Sequence, residues 1–282
     1  MFTVVIPVYN HRDYVVQAIR STLASPLVTE VLVADDGSRD GSDRLLAMLG
    51  GGGVGPVRDV TPQPRVNRGA PACLNALCER ASNEWIAVLN SDDYFVAGRF
   101  EMTARRIRRT ACDFLFGQLL LVDSDGKMIG VKSGAMSPEY AFPREFDVAG
   151  MMAENRWAAL LSNQNIVATT GNMVFRKSLW RDIGGFAPYR YVHDWHFALH
   201  AAMIGRIEYV PFPLTAYRIH ASNTIKEDGD RVNAEVTGLF GQLTEQYPTL
   251  KSDTEFQCGM RGNQHVVPRR ETEQPALFNK MV

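Results

Sequence analysis

Two adjacent carboxylates, Asp92 and Asp93, follow the apolar run Trp85-Ile86-Ala87-Val88-Leu89 through Asn90 and Ser91. The run is short, has aromatic and β-branched members and contains no Gly or Pro, the pattern of a strand buried on both faces. Like charges at the end of such a strand repel each other and lose hydration, so a positive partner is expected beside them. Hard oxygen ligands suit Mg²⁺ or Mn²⁺, and a Mg²⁺ held by one or two carboxylates usually completes its shell with waters and substrate phosphates. The competing reading is a solvated turn in which an aspartate caps the helix expected from Val96.

Other stretches carry groups of similar potential. Asp35 and Asp36 end a second apolar run, Glu30 to Ala34. Asn67-Arg68-Gly69 precedes a helix-like segment, where a guanidinium and backbone N–H groups could together hold a phosphate, although an ordinary loop explains it equally well. Asp194 falls in the first turn of a helix expected from His193 to Ile204, a position that favours a carboxylate and can hold it rigidly. His193, His196 and His200 are spaced so that they could gather a metal on one helix, but no acidic ligand follows at metalloprotease spacing. Ala216 to His220 alternates, which places Tyr217 and Ile219 on one side and Arg218 and His220 on the other.

The elements that must position these residues read as strand, helix, strand, helix. Phe2 to Val8 runs into the turn Pro7-Val8-Tyr9-Asn10; Asp13 can cap a helix carrying Val15, Val16, Ile19 and Leu23; Ser42 can cap another through Leu49. Short strand-helix alternation predicts a doubly wound, mostly parallel α/β sheet, in which ligands bind outside the carboxyl ends of the strands. Those ends offer Tyr9 and Asn10, then Asp35 and Asp36, then Asp92 and Asp93. No Gly-x-Gly-x-x-Gly follows the first strand, and Gly50 to Gly53 has neither a strand before it nor Lys-Ser/Thr after it, so a nicotinamide enzyme and a phosphate-loop enzyme are both disfavoured. Beyond Val96 the expected elements are a helix to Thr110, a hairpin from Phe114 to Val122 and Met128 to Val131, a strand Gly171 to Phe175, a helix Lys177 to Ile183, a strand Ile207 to Val210 and a helix Asn233 to Gln246. Residues 133 to 170 and the polar tail from Tyr247 yield no assignment.

With 282 residues, 30 basic and 31 acidic side chains leave a net charge of -1, so no global field points to nucleic acid. Arg105, Arg106, Arg108 and Arg109 could meet an anionic membrane but fit a solvated helix face better. Cys73, Cys78, Cys112 and Cys258 show no paired spacing, which suggests neither zinc nor disulfides and fits a reducing compartment. No apolar run approaches the roughly 20 residues needed to span a bilayer, and Met1 leads directly into the first strand. The expected location is cytoplasmic, with any membrane contact peripheral, at the inner face of the plasma membrane.

In order, these motifs resemble those of the family 2 glycosyltransferases, inverting enzymes of the GT-A fold, over roughly residues 2 to 225. Val5-Ile6-Pro7-Val8-Tyr9-Asn10 is similar to that family's opening strand, and Val33-Ala34-Asp35-Asp36-Gly37-Ser38 to the second-strand signature whose carboxylates take the nucleotide base and ribose. Asn67-Arg68-Gly69 with Asn75 resembles the segment beneath the diphosphate. Leu89-Asn90-Ser91-Asp92-Asp93 resembles the Asp-x-Asp metal motif, with Asn90 where Asp is common. Asp194-Trp195 resembles the motif of the catalytic base, with His193 where Glu is usual, and Tyr217-Arg218-Ile219-His220 the late motif whose His reaches the metal or phosphates.

The resemblance implies a nucleotide-binding half over 1–110, an acceptor and catalytic half over 111–225, and a C-terminal helix and tail over 226–282. It implies donor contacts from Pro7, Tyr9, Asp35, Asp36, Asn67, Arg68, Gly69, Asn90 and Asp92, a Mn²⁺ or Mg²⁺ on Asp92, Asp93 and His220, and Asp194 as base. The donor would be a nucleotide sugar, with uridine favoured, and the acceptor a glycan or lipid-linked saccharide of a surface polysaccharide; Asn163, Gln164, Asn172 and Arg190 are acceptor-side candidates. The tail could mediate a homo-oligomer. A nucleotidyltransferase would share the layered sheet but should show a basic Gly-rich loop where Tyr9-Asn10-His11-Arg12 stands. A non-catalytic nucleotide-sugar binding module is disfavoured by the presence of both Asp93 and Asp194.

Overall fold

Side chains of β1 (Phe2–Val8) alternate between two apolar layers, with Phe2, Val4, Ile6 and Val8 in one and Val5 in the other. The α1 helix (Arg12–Thr22) covers the first layer with Val15, Ala18 and Ile19. In β2 (Val28–Asp35) the alternation repeats, Val31 and Val33 against Leu32 and Ala34. This period of two with both sides buried is what helices on the two faces of one sheet require. Each fully buried Val, Leu, Ile or Phe contributes about 1.5–3 kcal/mol, so a one-residue slip in any of these strands would be costly.

The computed structural model describes residues 1–51, 55–62, 66–134, 142–221, 223 and 229–263. After β2 come α2 (Ser42–Gly51), β3 (Val57–Asp59), α3 (Ala70–Arg80), β4 (Trp85–Val88), a two-residue β5 (Tyr94–Phe95), α4 (Arg99–Thr110), β6 (Phe114–Val122) and β7 (Met128–Lys132). The chain continues through α5 (Val148–Ala153), α6 (Trp157–Asn163), β8 (Val174–Arg176), α7 (Lys177–Ile183), α8 (His193–Ile204), β9 (Ile207–Arg218), α9 (Gly229–Gln246) and α10 (Thr254–Gly262). Among the described residues one sheet runs β3-β2-β1-β4-β8-β6-β9-β5, with β7 on β6. The first four strands are parallel, β8 is antiparallel to both β4 and β6, and β9 is parallel to β6. Two reversals restore the original direction, so β9 ends on the same edge as β1, β2 and β4. That edge carries every turn singled out in the sequence as a strand end.

Several local expectations change. Val174, not Gly171, begins β8, because Thr170–Asn172 form a 3₁₀ turn whose Asn172 amide exchanges hydrogen bonds with the backbone of Gly117. The two strands expected near Ile207 and Ala216 are one twelve-residue strand: Pro211 and Pro213, lacking N–H groups, fall where its register against β6 shifts. His11, not Asp13, occupies the N-cap of α1.

The unassigned stretch before Gly171 supplies α5 and α6, and the tail beyond Tyr247 supplies α10, capped by Asp253. Phe240 and Phe256 of the C-terminal helices lie in the same apolar cluster as Phe197 of α8. Gly259 lets α10 approach α6 closely, since a Cβ there would stand 2.6 Å from the Ala159 carbonyl oxygen. Residues 52 and 53 of the Gly50 to Gly53 run, with 54, and residues 264–282 of the tail lie outside the described residues. No helix among the described residues is long and apolar enough to cross a membrane.

Candidate active site

At the end of β2, Asp35 folds its own turn, with Oδ2 accepting N–H groups of Gly37 and Ser38 at 3.0 Å each. Its Oδ1 is buried without a hydrogen-bond partner. Asp36 reaches the other way: its oxygens accept the backbone N–H groups of Arg68 at 2.8 Å and Gly69 at 2.9 Å, drawing the segment before α3 onto the strand end. Burial raises the Asp36 pKa, against the pull of those two N–H groups. Gly37 has φ +80, and a Cβ there would lie 2.8 Å from the Asn67 nitrogen, so the turn and this segment meet through a glycine. Asp35, Asp36, Pro62, Val66, Arg68 and Cys73 line a hollow between them. Tyr9 and Asn67 are exposed, whereas Pro7 is half-buried within β1. The Asn75 amide, expected under a diphosphate, instead binds the backbone of Phe186 and the Trp180 indole.

The second acidic turn, after β4, is held by Arg218. This buried guanidinium donates to the carbonyls of Asp92, Asp123 and Ser124 and to Gln17, and lies over the Tyr14 ring at 4.8 Å. The Arg218 backbone N–H donates to Asp93 Oδ1 at 2.8 Å, while Asp93 Oδ2 accepts from the Asn90 amide at 3.2 Å. Asp93, expected on a metal, is turned inward with both oxygens engaged. Burial, then the neighbouring Asp92 charge, push its pKa well up. Asn90 is likewise turned inward rather than towards ribose or phosphate, exchanging hydrogen bonds with the Thr169 and Thr170 hydroxyls at 2.8 Å each.

Asp92, unlike Asp93, keeps part of its side chain, 14%, exposed. Its Oδ2 lies 3.0 Å from His220 Nε2 and 3.9 Å from His11 Nε2. His11, which the sequence reading passed over, is thrown towards Asp92 by Asn10, whose φ is +54. Its position directly after the first strand end was the available signal. Burial lowers the His11 pKa, with Asp92 pulling the other way. Among the described residues only His11, Asp92 and His220 bring three such donor atoms within 4.8 Å of one another. Donors on an ion with bonds of about 2.1 Å stand about 3 Å apart when adjacent, so the separation between Asp92 and His220 suits a divalent cation.

Asp194 is buried in the first turn of α8, its oxygens accepting the Trp195 N–H at 2.7 Å and the Asn165 amide at 3.0 Å. Asn165 came from the stretch without assignment and was missed. Tyr217 lies near the end of β9; burial raises its phenol pKa first, and the charges of Asp93, Asp92 and Asp194 raise it further. The three α8 histidines form no such donor cluster. The His196 and His200 rings lie tilted to each other with centroids 4.3 Å apart and are pulled down by burial to about 4 each, while the pKa of half-buried His193 is also lowered, against the charge of Asp194. Of the acceptor candidates, Asn163 and Asn172 are buried and bonded to the backbone of Gly259 and Gly117, Gln164 binds Asn163, and Arg190 is exposed.

A strand edge bearing two acidic turns places the site where open α/β sheets bind their ligands, at the carboxyl ends of the strands. The chain belongs to glycosyl transferase family 2, whose sequence model matches residues 3–190. It is 34% identical over 141 residues to the succinoglycan biosynthesis protein ExoO of Rhizobium meliloti (47% of this chain, 37% of that protein). It is 28% identical over 132 residues to TuaG of Bacillus subtilis, a putative teichuronic acid biosynthesis glycosyltransferase (45% of this chain, 49% of that one). The chain thus spans less than half the length of these relatives. The S. aureus TarS fragment 1–349 in complex with UDP-GlcNAc superposes with a TM-score of 0.61 over 84% of this chain and 66% of that one, at 16% identity. That likeness is one of fold, and it bears out the GT-A-like architecture expected from the sequence.

Proposed function

We propose that this chain transfers a sugar from a nucleoside-diphosphate sugar to a hydroxyl of a glycan or lipid-linked acceptor, with inversion, in the synthesis of a surface polysaccharide at the cytoplasmic face of the membrane. The observation that carries the reading is the corner beside the end of β9, where His220 Nε2 and His11 Nε2 lie 3.0 and 3.9 Å from Asp92 Oδ2, on the strand edge that also carries Asp35 and Asp36. A cation-suited corner beside a second acidic turn is what a donor with a leaving diphosphate needs. Uridine is the favoured base, in keeping with the UDP-GlcNAc complex of TarS.

In this reading the hollow at Asp35 and Asp36 receives the nucleoside, with Tyr9 beside the base and Asn67 and Arg68 at the rim towards the phosphates. Asp92 and His220 would hold Mn²⁺ or Mg²⁺, which when bound supplies Lewis-acid stabilisation to the leaving diphosphate. Asp194, kept in one orientation by Asn165 and the Trp195 N–H, accepts the acceptor's hydroxyl proton as its oxygen attacks the anomeric carbon. The sugar–phosphate bond breaks on the opposite side, which inverts the configuration. Asp93, Asn90 and Arg218 do not touch the substrate; they keep Asp92 aimed.

A thermal-shift screen of nucleoside diphosphates with and without Mn²⁺ tests this, because a ligand that binds only the folded state raises its melting point. A cation-enhanced rise with UDP, followed by donor consumption in the presence of a saccharide acceptor, is expected. No rise with any nucleoside diphosphate would overturn the proposal.

A further inference from the structure

We infer that His11 is a third protein ligand in the cation corner, and that the resulting set of two imidazoles and one carboxylate makes the site prefer Mn²⁺ to Mg²⁺. The inference rests on the function proposed above and deepens it by naming the metal preference and the residue that sets it.

Three observations lead there. The first is what the corner lacks: Asp93, the second carboxylate of the turn, is turned inward onto the Arg218 N–H and the Asn90 amide. Asp92 is left as the partly exposed carboxylate of the turn, flanked by two imidazoles. The second is spacing. The Nε2 atoms of His220 and His11 lie 3.0 and 3.9 Å from Asp92 Oδ2, and the donor atoms of all three residues fall within 4.8 Å of one another.

The third is how the rings are held. His11 Nδ1 is 2.8 Å from the hydroxyl of buried Ser91, which leaves Nε2 pointing at Asp92. A ligating histidine almost always has its other nitrogen tied to an oxygen in this manner, which fixes both tautomer and ring orientation. The His220 ring stacks on Tyr14 with centroids 5.4 Å apart, and its plane stands at 87° to that of His11. Neither ring can swing away without disturbing the aromatic group beneath Arg218.

The chemistry of this donor set decides the ion. Mg²⁺ demands oxygen ligands and gives up its waters reluctantly. Imidazole suits Zn, Cu, Fe and Ni best, with Mn²⁺ at the weak end of the first-row divalent ions, and two histidines with one carboxylate form a facial set that leaves positions open for further ligands. Those open positions are what the oxygens of a diphosphate need. Mn²⁺ accepts both carboxylate and imidazole, so it gains from His11 where Mg²⁺ does not.

The test is a Mn²⁺ titration of the full chain followed by electron paramagnetic resonance, with Mg²⁺ as competitor, on the parent protein, His11→Gln and Ser91→Ala. The parent should bind Mn²⁺ at least about tenfold more tightly than Mg²⁺ and show electron spin-echo modulation from two nitrogen ligands. His11→Gln should lose about tenfold in Mn²⁺ affinity, show one nitrogen and leave Mg²⁺ affinity within a factor of about two. Ser91→Ala, which only frees the ring, should lose about tenfold or somewhat less. Equal affinities for the two ions in the parent, or one nitrogen or none in its spectrum, would overturn the inference even if His11→Gln failed to fold. An unchanged Mn²⁺ affinity in folded His11→Gln would do the same. If UDP stabilises the protein but Mn²⁺ binding does not depend on His11, this inference falls and the proposed function stands; the opposite pair of results separates them the other way.

Discussion

The turn after β2 and the turn after β4 both place two adjacent aspartates at the end of a parallel strand, yet the structure resolves the charge repulsion differently. After β2 the carboxylates are met by backbone N–H groups: Asp35 by its own turn, Asp36 by the segment before α3. After β4 one carboxylate is buried on Arg218 and Asn90 while the other is left to two imidazoles. The first arrangement makes a hollow with acceptor oxygens, suited to holding a neutral, N–H-rich group. The second leaves one anionic oxygen among groups that bind cations. A pair of aspartates in a sequence is thus not one motif, because the partner supplied from elsewhere in the chain decides what each pair does.

The largest expected effect tests whether the second turn and α8 form one reacting centre. Asp194→Asn keeps the size of the side chain and an acceptor for one of its two bonds, but cannot take a proton. The transfer rate should fall by about 10²- to 10⁴-fold, with melting temperature and donor affinity near those of the parent. A variant that folds, binds donor and retains most of its rate would remove Asp194 as the base. Next in size is the contrast between the arginines of the two turns. Arg218→Met strips hydrogen bonds from three carbonyls and Gln17, and should destabilise the protein by about 3 kcal/mol or more, since buried groups left unpaired cost about 1–3 kcal/mol each. Arg68→Met, at the exposed rim, should stay within about 0.5 kcal/mol of the parent. Urea denaturation reads both, and similar midpoints for the two variants would erase the distinction between a locked turn and an open one.

The first turn was legible in the sequence because everything that shapes it is local to the parallel half. An apolar run, an Asp-Asp-Gly and a helix-initiating Gly69 suffice to place Asp36 against Arg68 and Gly69. The second turn was legible only in part. Asp92 and His220 could be paired by resemblance, but the inward turn of Asp93 depends on a backbone N–H at Arg218, 125 positions away. No periodicity predicts such a contact. His11 was overlooked for a related reason: its place follows from the left-handed backbone at Asn10, which re-aims the chain, and no apolar periodicity marks that turn. The stretch from 133 to 170 resisted assignment because its helices are short. The α6 helix, Trp157–Asn163, is nearly all buried and shows no alternation of polar and apolar faces. Only Asp147, whose side chain caps α5 by accepting the Gly150 N–H, gave a local start signal.

A smaller effect should sharpen the reading of the first turn. Asp36→Asn keeps the side chain's shape, but its new NH₂ cannot accept one of the two N–H groups that Asp36 now takes from Arg68 and Gly69. The loop before α3 should loosen and donor affinity should drop by about tenfold, the weight of one charge-assisted hydrogen bond, with the rate at saturating donor little changed. The same substitution at Asp92 should lower that saturated rate. If Asp36→Asn instead lowered the saturated rate and spared affinity, the two turns would have exchanged roles.

The smallest effect at neutral pH concerns the imidazoles that stand apart from either turn. His196 and His200 on α8 differ from His11 in that, among the described residues, burial alone or with the neighbouring imidazole, and no carboxylate, sets their pKa, and it pulls both down to about 4. Because their folded values lie below the ordinary 6.5, the unfolded chain takes up these protons first as the solution is acidified. The stability they allow is therefore complete above about 6.5 and is lost as pH falls towards about 4. His196→Gln removes one of the two titrating groups, so unfolding free energy measured by urea between pH 7 and pH 4.5 should decline less steeply than in the parent. Parallel slopes would mean that these rings are already solvated or charged in the folded protein. The contrast between histidines that serve the core and histidines that face Asp92 would then have to be drawn on distance alone.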